Sequence, residues 1–375
     1  MTHQALLRAA CALAILLSTG CTSSEDDDDG PDAGAPGSLE ATLDAVLRES
    51  GAASITVAVI RPDAPTTTAS RGLADVDAGR AATADTLYGL ASCSKPFVGL
   101  AAAIMMEDDP DFDLDADVND WLEWDPPLAH PLHPDSPVTL RMLLTHTAGI
   151  AADGPADYED YPKPDPDMAL GAFLRSLLAD PEYWLEEPGA AYEYSNLGTA
   201  LAALVVEEAT GEDFRRYTED RIFDPLGLDD TRWFYADLDG DQRARHALPY
   251  DPDGEAYEIY AFNDYPSGLL RSTADDLAVL MKVLAAGGRL DGEALLPASV
   301  VERFHAVPML IERELEDGVE TFSHSGGESG ITTWFTYRGD GRGYLYLINT
   351  DLEDDAIDAL DESLIPTLEA LAGYR

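Results

Sequence analysis

Ser92 and Lys95 stand three residues apart in Leu87-Tyr88-Gly89-Leu90-Ala91-Ser92-Cys93-Ser94-Lys95-Pro96-Phe97. An apolar run through Leu100, Ile104 and Met105 follows at helical spacing. Proline is tolerated only near a helix start, so Pro96 predicts a helix whose N-terminus lies at or just after Ser92. Residues three apart on a helix share a face, which puts the Lys95 amine beside the Ser92 hydroxyl. A hydroxyl is a poor nucleophile until a neighbouring base takes its proton. Lysine can be that base where burial or nearby charge lowers its pKa, and a helix N-terminus favours developing negative charge. The chain has three lysines, Lys95, Lys163 and Lys282, and otherwise uses arginine, which cannot give up a proton. Taken alone, the pair also fits a capped helix carrying a surface lysine.

Two further stretches offer chemistry. In Tyr192-Glu193-Tyr194-Ser195-Asn196-Leu197-Gly198, the Tyr194 phenol can relay a proton near a cation, and the Asn196 amide can hold Lys95 or a substrate carbonyl. In Ser323-His324-Ser325-Gly326-Gly327-Glu328-Ser329-Gly330, small residues would let a substrate backbone lie against a strand and leave an N–H exposed to an oxyanion. Each read alone has a plain alternative: a loop tyrosine with a turn asparagine, and a glycine-rich turn with a surface histidine.

Together the three stretches resemble the serine β-lactamase-like and penicillin-binding-protein family, which includes class C β-lactamases, D-alanyl-D-alanine carboxypeptidases, some esterases and D-amino-acid peptidases. Leu143-Leu144-Thr145-His146-Thr147-Ala148-Gly149-Ile150, Phe223 to Leu228 and Gly268 to Leu277 also resemble the family, so that the likeness runs over nearly all of 38–375. It implies an acyl-enzyme on Ser92, proton transfer by Lys95 and Tyr194, and substrate positioning by Asn196. His324, Ser325, Gly326 and Gly327 would border the substrate, with the N–H groups of Ser92 and Gly327 as oxyanion hole. His146 would be structural. The substrate would be a small molecule or peptide: an ester, a D-amino-acid amide or a β-lactam. Y-S-N stands where class A enzymes have S-D-N, and H-S-G where many relatives have K-T-G, so a permanent lysine charge is missing from the third motif. The alternative reading is a catalytically weak or inactive surface binding protein on the same scaffold.

The elements that must position these residues are α+β in pattern. Leu39, Leu43, Val46 and Leu47 predict a helix ended by Gly51, and Ala53–Ile60 predicts a strand that pairs with 66–73 through Arg61-Pro62-Asp63. Residues 87–285 read as mostly helical. Strand patterns return at 331–337 and 343–349, followed by a helix over 355–372. Strands at both ends imply one antiparallel sheet completed by both termini, flanked by N- and C-terminal helices, with an inserted helical subdomain: the β-lactamase/transpeptidase-like arrangement.

The 375 residues carry a net charge of -49, which repels nucleic acid and excludes it as a partner. Arg8 precedes an apolar run, Ala9–Leu17, too short to span a bilayer, so residues 1–20 are expected to be a signal peptide. The run ends in Leu17-Ser18-Thr19-Gly20-Cys21, which resembles a bacterial lipobox with its aliphatic residue displaced by one; Cys21 is the expected lipidation site. The membrane would then be a partner through this anchor only, and the protein an exported lipoprotein of the cell envelope. Residues 21–37, acidic and rich in Gly and Pro, form the linker, whose sixteen residues after Cys21 reach roughly 20–25 Å. Of three cysteines only Cys93 remains, so no intrachain disulfide is expected. No cofactor or metal is called for. The alternating Asp111–Asp117 and Asp237–Asp241 lack an EF-hand pattern, and His130-x-x-His133 lacks a zinc signature. By the same family resemblance, the stretch 152–187, with Asp157, Tyr158, Glu159, Asp160, Tyr161, Tyr183 and Trp184, is expected to form part of the site's rim.

Overall fold

The computed structural model describes residues 36–109, 112–152 and 162–374. The expected signal peptide, Cys21 and the linker to Ala35 lie outside the described residues, as do Asp157 to Tyr161. Among the described residues no helix is long and apolar enough to cross a membrane.

Helix α1, Pro36–Ser50, ends at Gly51, whose φ of 73° terminates it without steric cost. Strands β1 (Ser54–Arg61), β2 (Ala64–Asp75) and β3 (Arg80–Ala81) follow. The remaining strands of the main sheet come from the other end of the chain: β4 (Glu312–Glu316), β5 (Val319–Glu328), β6 (Ile331–Arg338) and β7 (Gly343–Ile348). They form one antiparallel sheet in the order β3-β2-β1-β7-β6-β5-β4, with Val57 opposite Tyr346. The two termini therefore meet at the sheet's centre, as the sequence pattern predicts.

Both faces of this sheet are covered, and β1 is buried from Ser54 to Ile60. Side chains alternate between faces. Ile55, Val57 and Val59 pack with Tyr344, Tyr346 and Ile348 against Leu39, Leu43 and Val46 of α1 and the C-terminal Leu360, Leu364 and Leu368. Ala58, Ile60, Leu345 and Leu347 join the larger core under the helical region. There, helix α2 (Lys95–Asp108) is buried at every position from Lys95 to Met105 and packs against α3 (Asn196–Thr210). The small residues Gly99 and Ala101–Ala103 allow close approach: a Cβ on Gly99 would lie 2.1 Å from the Met309 carbonyl oxygen.

Two expectations are revised. The C-terminal helix is not continuous: Asp354–Ala359 and Ile365–Ala372 are joined by a π-helical turn over Leu360–Leu364, next to Pro366, which has no N–H to donate. Strand β4 of the β4–β5 hairpin is not legible as a strand, because Glu312–Glu316 is exposed throughout and charged at every position but Leu315, as suits a sheet edge protected from pairing.

The acidic runs have local partners. Asp115 makes a bidentate pair with Arg141 at 2.6 and 2.9 Å, Asp117 caps the turn Val118–Asp120, Asp237 meets Arg215 at 3.0 Å, and Asp239 closes a capping box with Gln242. His130 Nδ1 accepts the N–H groups of Leu132 and His133. Among the described residues no group of three or more His, Cys, Asp or Glu is arranged to hold a metal.

Candidate active site

Ser92 sits in a 3-10 turn, Ala91–Ser94, that runs directly into α2. Ala91 has a φ of 46°, an uncommon conformation for a residue with a Cβ, and neighbouring elements hold the turn. Leu90 N–H donates to the Leu270 carbonyl at 2.9 Å, and the Leu90 carbonyl accepts Thr333 Oγ1 at 2.8 Å. Leu270 N–H donates to Ser94 Oγ at 3.2 Å. Cys93 is buried and donates to the His324 carbonyl at 3.2 Å; burial pushes its thiol pKa up to about 12, so this cysteine is packed rather than reactive.

Lys95 and Tyr194 converge on Ser92. Lys95 Nζ lies 2.8 Å from Ser92 Oγ, and Tyr194 OH lies 2.8 Å from the same oxygen. The Lys95 side chain is fully buried, and its amine also donates to the Ser267 carbonyl at 2.6 Å and lies 4.9 Å from the Tyr194 ring centroid. Ser267 is fixed in turn, donating to the buried Asp264 at 3.0 Å. Tyr194 precedes α3, whose N-cap Ser195 accepts Gly198 N–H at 2.8 Å and donates to the Ala151 carbonyl at 2.7 Å. The Tyr194 ring packs on His146 at 4.7 Å, and His146 Nδ1 accepts Ser195 N–H at 3.2 Å. His146 is thus a support for the tyrosine, as expected. Asn196 opens α3 two residues after Tyr194, its own N–H donating to the Ala152 carbonyl at 2.8 Å.

The third stretch lies within β5. Strand β4 pairs with β5 only as far as Ser323, so residues 324–328 have a free edge. Glu328 and Ile331 face each other across the two-residue Ser329-Gly330 turn. Antiparallel pairs alternate between hydrogen-bonded and non-bonded types. With Glu328 and Ile331 bonded, Gly327 and Ser325 direct their N–H groups away from β6, toward that free edge. Both are exposed. Gly326 plays a different part from the one expected, because a Cβ there would lie 2.3 Å from Thr333 Oγ1 and 2.4 Å from the Leu90 carbonyl oxygen. It lets β5 close on the turn that carries Ser92.

His324 is buried, and its Nδ1 is 2.6 Å from the Ser325 carbonyl, an arrangement that fits an N–H donor. Burial, then the Lys95 charge, pushes its pKa down to about 3; burial and Lys95 do the same to His146, also to about 3. His324 is therefore neutral near pH 7. A histidine with a depressed folded pKa adds stability that is complete above its ordinary value near 6.5 and is lost as pH falls toward 3. At pH 5 the loss is up to about 2 kcal/mol per histidine. His324→Asn should therefore lose less stability than wild type between pH 7 and pH 5, measured by urea unfolding; equal losses would contradict a neutral buried imidazole.

Sequence reasoning missed the Ser267 carbonyl, Asp264 and Thr333. A backbone acceptor leaves no residue-type signal, and Asp264 is one of 72 acidic residues. The rim expectation is corrected at two positions. Tyr183 and Trp184 are 6 % and 7 % exposed, and the Trp184 indole N–H is held by the Leu178 carbonyl at 3.0 Å, so neither is offered to a substrate.

Residues 39–365 match the family described as Beta-lactamase. Esterase EstB of Burkholderia gladioli is 33% identical over 226 residues, covering 58% of this chain and 55% of that protein. Penicillin-binding protein 4* of Bacillus subtilis is 25% identical over 316 residues, covering 76% and 65%. The chain thus spans less than two thirds of the length of these curated relatives. Among solved structures, the D-amino acid amidase of Ochrobactrum anthropi SV3 superposes with a TM-score of 0.71 at 21% identity, covering 89% of this chain and 99% of that one. The likeness read from the three motifs and the mixed helix-and-sheet fold are both borne out: the chain belongs to the Beta-lactamase family.

Proposed function

We propose that the chain is a serine hydrolase that works through an acyl-enzyme on Ser92, acting on simple esters or D-amino-acid-type amides in preference to β-lactams. The observation that carries the reading is the convergence of Lys95 Nζ and Tyr194 OH on Ser92 Oγ, each at 2.8 Å. Ser92 Oγ attacks the substrate carbonyl carbon, and its proton passes to Lys95 or Tyr194, whichever is unprotonated. The N–H groups of Ser92 and Gly327 receive the tetrahedral oxyanion. As it collapses, the bond to the leaving group breaks and the proton moves to the leaving oxygen or nitrogen. Water then attacks the acyl carbonyl by the same steps, releasing the acid and restoring Ser92. Asn196 and the free edge at Ser325 position the substrate.

The preference follows from charge. Most β-lactams carry a carboxylate, and the His324 position is neutral at pH 7. The net charge of -49 also slows anionic substrates, more so at low salt. The test is kcat/KM for a p-nitrophenyl ester, a D-alanine anilide and a chromogenic cephalosporin at two salt concentrations, with intact-mass detection of a fluorophosphonate adduct. A cephalosporin value a hundredfold above the other two would restore β-lactamase as the main activity. No adduct and no turnover would favour a binding protein on an inactive scaffold.

The same proposal places the protein at the cell envelope, anchored by lipid on Cys21. The acidic domain gives no electrostatic help to membrane binding, so attachment rests on the acyl chains. Cys21→Ser should move the protein from the membrane pellet to the soluble fraction; pelleting as wild type does would remove the anchor from the proposal.

A further inference from the structure

The Lys95 amine is placed by two oxygens, and one of them belongs to the main chain. It donates to the Ser267 carbonyl at 2.6 Å and lies 2.8 Å from Ser92 Oγ. A lysine stem is long and flexible, so the amine stays at Ser92 only as well as its second anchor stays in place. That anchor is the carbonyl of the Ser267–Gly268 peptide. Glycine restricts the backbone least of all residues, so the orientation of this peptide has to be set from the Ser267 side.

The short 3-10 turn Tyr265–Ser267 sets it. Ser267 N–H donates to the Asp264 carbonyl at 2.9 Å, and Ser267 Oγ donates to Asp264 Oδ2 at 3.0 Å. Two bonds to the same residue fix both the backbone and the side chain of Ser267. The Gly268 and Leu269 N–H groups turn back to the Tyr265 carbonyl at 3.2 and 2.9 Å, which leaves the Ser267 carbonyl to face Lys95. The segment is tied at both ends. Asn263 Oδ1 accepts the N–H groups of Asp167 and Met168, each at 3.1 Å. Leu270 accepts Leu90 N–H at 2.9 Å and donates to Ser94 Oγ at 3.2 Å. Asp264 and Ser267 are each 2 % exposed. A buried carboxylate is costly unless it is hydrogen-bonded, so the bond from Ser267 Oγ is one that Asp264 keeps.

We propose that Asp264 is a positioning residue for the reaction: through the Ser267 hydroxyl it aims the Ser267 carbonyl at Lys95, and so holds the amine on Ser92 Oγ. It acts through Ser267 and not on the substrate. The inference rests on Lys95 serving the hydrolysis proposed above, but the placement it requires is readable without turnover.

Ser267→Ala removes the hydroxyl and keeps the carbonyl. Its kcat for a p-nitrophenyl ester should fall about tenfold or more, because a misplacement near 1 Å at a reacting centre can cost about 10²-fold. KM should stay within about twofold, since the lost contact bears on the chemical step rather than on substrate binding. Asp264→Ala should show the same split, and Asp264→Asn, which keeps an acceptor for Ser267 Oγ, should recover most of the loss. A merely structural role would lower Tm without dividing kcat from KM in this way. In crystals of Ser267→Ala, Lys95 Nζ should lie beyond about 3.5 Å from Ser92 Oγ, outside hydrogen-bond reach. Wild-type kcat in Ser267→Ala, or a Lys95 Nζ that keeps both oxygens in that variant, would overturn the proposal. So would an Asp264→Asn as slow as Asp264→Ala, which would make the charge and not the bond the active feature. If the wild type neither turns over the ester nor takes a fluorophosphonate, the hydrolase reading fails, and the position of Lys95 in the variant crystals decides the positioning role.

Discussion

Lys95→Arg is expected to lose about 10²–10⁴-fold in kcat/KM, the range for a missing general base, and to be nearly as inactive as Lys95→Ala. The fully buried Lys95 sets its Nζ between Ser92 Oγ and the Ser267 carbonyl. A guanidinium keeps the charge but cannot accept the serine proton, and it is too broad to occupy the same point between those two oxygens. Ser92→Ala sets the floor: fluorophosphonate labelling should vanish while the fold remains, since Ser92 is only partly buried and the change removes one small hydroxyl. Tyr194→Phe separates the two groups proposed to carry the proton. It keeps the ring that packs on His146 and removes only the hydroxyl at 2.8 Å. If Lys95→Arg retains near-wild-type turnover, the lysine contributes charge alone and Tyr194 is the base. An adduct that persists on Ser92→Ala would remove Ser92 as nucleophile.

The same neighbourhood shows how much of the site is legible in the sequence. Helical spacing places Lys95 beside Ser92, and the structure realises that contact directly, because local periodicity needs no tertiary information. The approach of Tyr194 from 102 residues away was legible only through resemblance to a family; nothing in Tyr-Ser-Asn itself sets a distance to Ser92. The central strands were legible because β1 and β7 are runs of apolar residues. The hairpin partner β4 was not, since Glu312-Arg313-Glu314-Leu315-Glu316 obeys the rules for a sheet edge rather than for a core strand. His324 was placed in the right stretch, but its protonation depends on burial and on the Lys95 charge, both consequences of assembly. Tyr183 and Trp184 failed for a related reason: an aromatic side chain in a loop reads alike whether it faces a ligand or fills the core.

Gly326→Ala is expected to damage the enzyme as a catalyst more than as a fold. Its Cβ would fall 2.3 Å from Thr333 Oγ1, 2.4 Å from the Leu90 carbonyl oxygen and 3.2 Å from the Cys93 nitrogen. Two of these atoms are backbone of the segment that carries Ser92, and Thr333 Oγ1 is itself bonded to the Leu90 carbonyl. The strain cannot be relieved by turning one side chain. Either β5 moves outward, carrying the Gly327 N–H with it, or the Ala91–Ser94 turn moves inward, carrying Ser92 toward Lys95 and Tyr194. Overpacking of this kind costs typically 1–3 kcal/mol, a loss of a few degrees in Tm. The geometric effect is larger, because a displacement near 1 Å at a reacting centre can cost about 10²-fold in rate. A drop of about 10–10²-fold in kcat/KM is therefore expected, with a modest change in melting. Gly240→Ala is the control: a Cβ there meets nothing within 4 Å, and the residue begins a helix, so alanine should leave both quantities unchanged. If Gly326→Ala matches Gly240→Ala in rate and stability, β5 does not set the position of the nucleophile turn. In that case the oxyanion hole assigned to Ser92 and Gly327 would need another donor.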